Sequence, residues 1–193
     1  MKYSMRHMLL FCLIFFLISC HTNGQDHRRE NAKLINSIDS LTTILGPPAN
    51  DLVIYFKEVT VIAKNNRNYQ LPERQVDSLK YFYEKLASQY ADATRFISLL
   101  KTYNSIDSSL KSSFLTVLEN GKAPWNITMP VYLKIYKEGQ DSLSDAEKDV
   151  IANTATIFKS SAQTVLEWTK AVADQEESFV KTYNLKFYNG KYQ

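Results

Sequence analysis

The chain has 193 residues with 23 basic and 20 acidic side chains, and its formal net charge of +3 gives no strong field for nucleic acid or acidic lipid. Its three histidines and two cysteines all lie in the first 27 residues, so the rest offers no imidazole or thiolate for a metal site, a thiol nucleophile or a Ser-His-Asp triad. Five glycines leave no Gly-rich phosphate loop, and we expect no cofactor, no metal, no catalytic residue and no nucleic-acid partner.

An apolar run from Met8 to Ser19 follows Lys2 and Arg6 and ends at Cys20. About 12 residues are too few to cross a bilayer, which takes roughly 20, and they are typical of a secretory signal. The sequence Leu17-Ile18-Ser19-Cys20 resembles the lipobox of bacterial lipoproteins. This resemblance implies that residues 1–19 are a signal peptide and that Cys20 becomes the lipidated N-terminus. A cleaved signal with a coincidental cysteine is the alternative.

The same resemblance predicts a location. Two or more acyl chains at Cys20 would anchor the protein stably to a membrane. His21 follows the cysteine in place of an aspartate, and by similarity to enteric sorting this favours the outer membrane, facing the periplasm. In a Gram-positive host the anchor would lie in the plasma membrane.

The remaining chain divides into a tether and one domain. Residues 20–30 are polar, contain Gly24 and lack a hydrophobic face, so they predict a flexible tether. About 174 residues remain after cleavage, enough for one domain with a core that needs no metal or disulfide. We assign this domain to residues 31–193.

The domain starts with two predicted helices. One begins at Asn31, and Gly46-Pro47-Pro48 is expected to end it. A second runs from Asn50 to about Asn65. The first helix has four apolar residues at helical spacing: Leu34, Ile38, Leu41 and Leu45.

A third helix begins near Pro72 and carries the clearest pattern. Its apolar residues alternate spacings of three and four, as in a heptad seam, at Val76, Leu79, Tyr83, Leu86, Tyr90, Ala93, Ile97 and Leu100. A Ser-rich stretch from Asn104 to Ser113 predicts a kink or break near Asn104. The helix is then expected to resume as far as about Glu119.

Asn120-Gly121 predicts the end of that helix. A shorter helix is expected from about Met129 to Glu138, with Thr128 as its cap and Pro130 in its first turn.

The last helix opens with Ser144-Asp145-Ala146-Glu147, a capping box, and its apolar pattern extends to about Tyr183. Residues 185–193 include three aromatic rings, enough apolar surface to dock onto the domain. We therefore predict an all-α, antiparallel helical bundle with two long helices and several shorter ones.

Two candidate sites follow from side-chain chemistry. Trp125, Tyr132, Tyr136 and Trp168 would suit a ligand groove, because rings combine apolar area with a polar group, although core packing is the default explanation for them. Asp141-Ser142-Leu143 resembles the Asp-Ser/Thr-apolar acceptor of O-glycosylation in Bacteroidetes envelope proteins, so Ser142 is a candidate acceptor. The similar Ser40 and Ser78 lie on predicted helices beside core leucines.

These features favour a lipid-anchored, non-catalytic binding or scaffold protein for a protein partner, such as an immunity or inhibitor protein, or one that self-associates. A small-molecule or glycan receptor using the aromatic groove is the alternative. A hydrolase using carboxylates alone is the third, and it would need two facing acids in a cleft. No spacing in the sequence predicts such a pair.

Overall fold

Four antiparallel helices form the molecule in the computed structural model, which describes the backbone of residues 5–193 and the side chains of residues 27–193. The helices are α1 (Met5–Asn65), α2 (Glu73–Leu99), α3 (Ser105–Glu138) and α4 (Asp145–Thr182). Each packs on the next along the chain. The predicted all-α bundle is confirmed. The side chains of the expected signal peptide and of Cys20 lie outside the described residues.

Helix α1 is longer than predicted. It continues through Gly46-Pro47-Pro48, so the expected stop there is wrong and the two predicted helices are one. It also includes residues 20–30, the expected tether. Leu45, Pro48 and Leu52 are all buried. The free energy gained by this burial outweighs the cost of the backbone hydrogen bonds that the two prolines cannot donate.

Helix α3 also joins two predicted helices into one. It continues through Asn120-Gly121, so the expected end there is wrong. Pro124 has no N–H to donate to the carbonyl of Asn120 four residues earlier. The Ser161 hydroxyl of α4 donates to that carbonyl at 2.6 Å instead. Thr128 is therefore an interior residue rather than a cap, and its hydroxyl donates to the Pro124 carbonyl at 2.7 Å.

Several other predicted helix ends are confirmed, whereas α1 begins well before the predicted start at Asn31. Helix α2 ends at Leu99, and Asn104 caps the start of α3 by accepting from the N–H groups of Ile106 and Asp107. The break near Asn104 is therefore complete. Ser144 and Glu147 form the capping box at the start of α4.

The core consists of two clusters of buried residues. One lies around the first described side chains of α1 and contains Leu34, Ile38, Ile97, Phe114 and Phe179. The other lies towards the opposite end, around Leu52, Leu79, Met129 and Tyr136. Helix α4 contributes only Val172 and Phe179 to the buried residues, so most of its outer face is exposed.

The chain ends in a hairpin, β1 (Phe187–Tyr188) paired with β2 (Lys191–Tyr192). Asn189 and Gly190 both have positive φ, the geometry of a two-residue hairpin turn. The side-chain amide of Asn36 donates to the Tyr192 carbonyl at 2.9 Å and accepts from the Tyr192 N–H at 2.8 Å. The tail therefore docks on α1, as its aromatic content predicted.

Within the described residues, no helix has both the length and the apolar character needed to cross a bilayer.

Candidate binding cleft

Three of the four candidate groove residues lie together. Trp125 packs edge-on against Phe158, with ring centroids 4.6 Å apart, and Tyr132 packs edge-on against Phe56 at 4.7 Å. Tyr136 is buried, and its hydroxyl shares a 2.8 Å hydrogen bond with Thr60. These rings contact other rings on α1, α3 and α4, so side chains fill much of the space between them.

Trp168 lies apart from that cluster. It is ten residues beyond Phe158 on α4, about 15 Å along the helix axis, and it is exposed. The four aromatic residues therefore do not surround one common space.

Ser142 lies in the short 3-10 turn between α3 and α4 and is half-buried. Its hydroxyl donates to the Gly139 carbonyl at 2.7 Å. A glycosyl transfer at this residue would have to break that hydrogen bond. Ser40 and Ser78 also donate to backbone carbonyls of their own helices.

Two acidic residues of α4, Glu147 and Glu177, each form an ion pair with a lysine. Glu147 accepts two hydrogen bonds from Lys134, at 2.8 and 2.9 Å, and closes the capping box. These contacts lower the pKa of Glu147 to about 2. Glu177 pairs with Lys181 at 2.6 Å, which also lowers its pKa.

The fold adds a carboxylate pair that the sequence did not predict. Burial, and after it the negative charge of Asp39 on α1, together raise the pKa of Glu176 on α4 to about 7. These residues are 137 positions apart, so local spacing could not reveal the pair. Neither lines the large cleft described next.

A cleft of about 1690 Å³ runs along α1 and the end of α2. The hairpin forms one wall, through Lys191 and Tyr192. Along α1 the lining extends from Arg28 to Ile44, about 24 Å at the rise of an α-helix. The cleft is therefore an elongated trough at the end of the bundle nearest Cys20 in the chain.

Part of the cleft lining is apolar, and we call this part the floor. Helix α1 supplies Leu41 and Ile44, and the end of α2 with the following loop supplies Phe96, Leu99 and Tyr103. Leu99 is 73% exposed and Phe96 46% exposed. Large apolar side chains that stay exposed in one groove are typical of an interaction site.

The rim of the cleft is basic. Five basic residues line it, and Glu30 is the single acidic residue among the described lining residues. The basic residues come from α1, the loop after α2 and the hairpin: Arg28, Arg29, Lys33, Lys101 and Lys191. None of the five lies within ion-pair distance of a described carboxylate side chain.

A buried carboxylate holds the end of the cleft in place. Asp107 is fully buried and accepts from the Tyr103 N–H at 2.9 Å and from the Tyr183 hydroxyl at 2.5 Å. Asn104 also donates to the Tyr183 hydroxyl. The pKa of Tyr183 is raised, first by burial and then by its bond to Asp107. The loop after α2 is thereby tied to the end of α4.

Two further contacts fix the walls. Lys111 donates to the carbonyls of Ser98 and Leu100, at 2.7 and 2.6 Å, and so closes the last turn of α2. Arg28 donates to the Asn184 carbonyl at 2.7 Å, which joins α1 to the segment before the hairpin. The trough is therefore held by hydrogen bonds between four parts of the chain.

Such a trough can bind an apolar, negatively charged surface. Among the described residues, no three His, Cys, Asp or Glu side chains come close enough to share a metal ion. The cleft could not be predicted from the sequence, because its basic residues are scattered from position 28 to position 191.

Comparison with protein-family models, curated proteins and solved structures finds no match for this chain.

Proposed function

We propose that this protein is a lipid-anchored, non-catalytic binding protein of the bacterial cell envelope, which holds a protein partner in the cleft between α1 and α2. Immunity or inhibitor proteins belong to this class. The observation that carries the proposal is the exposure of Leu99 and Phe96 on the floor of a cleft of about 1690 Å³.

The dimensions favour a protein over a small molecule. Pockets for small ligands usually measure about 300–1,000 Å³ and bury most of the ligand surface. This cleft is larger, elongated and lined by side chains of α1, α2 and the hairpin. Grooves of this kind between helices are a common way to bind a segment of a partner protein.

The lipobox-like sequence supports the proposed location at a membrane. Seven residues separate Cys20 from Arg28, and even a fully extended segment of this length spans at most about 30 Å. A lipid on Cys20 would thus keep the cleft close to the bilayer. The partner would then be a membrane protein or an envelope protein near the membrane, and the outer membrane's periplasmic face is the compartment we propose.

The partner is tested by placing a photoreactive amino acid at Phe96 in the native host. Phe96 lies in the cleft, whereas Ile127 on α3 is 49% exposed and lies outside it, which makes Ile127 the matched control. We expect ultraviolet light to produce a discrete protein adduct at Phe96 and none at Ile127. Equal adducts at both positions, or none at Phe96, would contradict the proposal.

A further inference from the structure

We infer that the occupant of the cleft is an acidic amphipathic helix of about 15 residues, supplied by the partner. This inference rests on the proposed function and names the kind of partner segment that the cleft accepts. Its basis is the combination of an apolar floor, a basic rim and a trough of helical dimensions.

The dimensions of the trough match those of a helix. Its length along α1 is about 24 Å, which corresponds to roughly 15 residues of α-helix. A helix of this length, about 10 Å wide with short side chains, has a volume of roughly 1,800 Å³. The cleft measures about 1690 Å³. A helix seated there would lie against both α1 and α2, as the third member of a local bundle.

The floor determines the apolar face of the incoming helix. Leu41 and Ile44 on α1 are spaced like the residues that face a neighbouring helix, and Phe96 and Leu99 continue the same surface on α2. The partner should therefore present apolar residues at spacings of three and four over about four turns.

The rim determines the charge of its other residues. Arg29, Lys33 and Lys101 are exposed beside the cleft, and Lys191 faces it from the hairpin. Acidic side chains on the flanks of the incoming helix would meet these four charges. Such complementarity sets specificity and association rate, and it rejects basic segments.

A bilayer is the alternative occupant. The trough has the length and volume of a helix of about 15 residues, which favours a helix over a flat headgroup layer. Nucleic acid would suit the charges but leave Ile44 and Phe96 against a polar backbone. The acidic helix is the occupant that satisfies both parts of the cleft.

The test uses the purified full chain in detergent and a fluorescent 15-residue peptide with leucine on one helical face and glutamate on the other. Two peptides of the same length serve as controls: one with the same residues scrambled, and one with lysine in place of glutamate. We expect the acidic amphipathic peptide to bind about tenfold more tightly than the scrambled one, with affinity falling as salt rises.

A double variant, Lys33→Glu with Lys101→Glu, should weaken that binding about tenfold or more. The matched control, Lys57→Glu with Lys85→Glu, changes exposed lysines on α1 and α2 outside the cleft and should bind as wild type does. Circular dichroism and thermal melting show whether each variant is folded.

Equal binding of all three peptides, or no difference between folded rim and control variants, would overturn the inference. The identity of the Phe96 adduct separates this failure from that of the proposed function. A protein adduct together with no preference for the acidic peptide would remove only the acidic helix. A lipid adduct at Phe96 would remove both.

Discussion

At the scale of single residues, a buried carboxylate on α3 joins the loop after α2 to the end of α4. Asp107 is fully buried without a cation beside it, and its two oxygens accept from a backbone N–H and from the Tyr183 hydroxyl. Hydrogen bonds to a charged group contribute roughly 1.5–3 kcal/mol each, which offsets the cost of taking the carboxylate out of water. This one residue therefore keeps the loop at the cleft in a fixed position.

Glu176 should make the stability of the protein depend on pH. Its pKa rises from the ordinary 4.5 to about 7 in the folded protein, because of burial and the charge of Asp39. The folded state thus holds a proton that the unfolded state releases, so stability falls as pH rises from about 4.5 to 7. Tyr192 lies in the same electrostatic environment.

We expect Glu176→Gln to remove this penalty. Because Glu176 is partly exposed, solvent screening leaves about 1 kcal/mol of it, or roughly 2–4 °C in melting temperature. The variant should melt higher than wild type at pH 8 and equally at pH 4, as followed by circular dichroism. A constant difference at both pH values would show that the carboxyl charge is not the cause.

At this scale the sequence predicted single helix caps but not contacts between helices. Ser144 and Glu147 are three residues apart, so their capping box was readable directly. Asp39 and Glu176 influence each other only because the fold brings α1 and α4 to one core cluster. The same holds for Asn36 and Tyr192, whose paired hydrogen bonds dock the hairpin.

At the scale of elements, the continuity of α1 is the least expected feature. Gly46 has no atom near the position a Cβ would take, and its backbone is helical. Glycine inside a helix costs about 0.5–1 kcal/mol relative to alanine. If α1 is continuous, Gly46→Ala should therefore raise the free energy of unfolding by that amount, measured by urea denaturation.

The opposite result has a clear meaning. If the helix stopped at Gly46, the glycine would have a positive φ and alanine would destabilise the protein. Gly139→Ala is the matched control, because Gly139 has a φ of 90° and a Cβ there would collide with Asn68. That variant should be destabilised in either case.

Helix existence was predictable from periodicity, and two helix ends were not. The heptad spacing of Val76, Leu79 and Leu86 predicted α2 because all three side chains face the core. Proline and glycine signals failed in α1 and α3 because tertiary contacts replace what they remove. The hydrogen bond from Ser161 to Asn120 is one such contact, and it is invisible to local sequence rules.

At the scale of the whole molecule, the net charge is small, but the charged side chains are unevenly distributed over the surface. A net charge of +3 predicts no strong field, yet five basic side chains and one acidic side chain line the cleft. Composition averages over the surface, whereas recognition depends on local potential. The cleft therefore had to come from the fold, and its position follows from the order of the helices.

The membrane location that we propose for this cleft depends on Cys20. The direct measurement is mass spectrometry of the protein extracted from its native host, on the tryptic peptide that ends at Arg28. The account predicts a peptide that begins at Cys20 and carries a diacylglycerol on the cysteine sulfur. A Cys20 without lipid, or a chain that still contains residues 1–19, would contradict the anchor and the envelope role inferred from it.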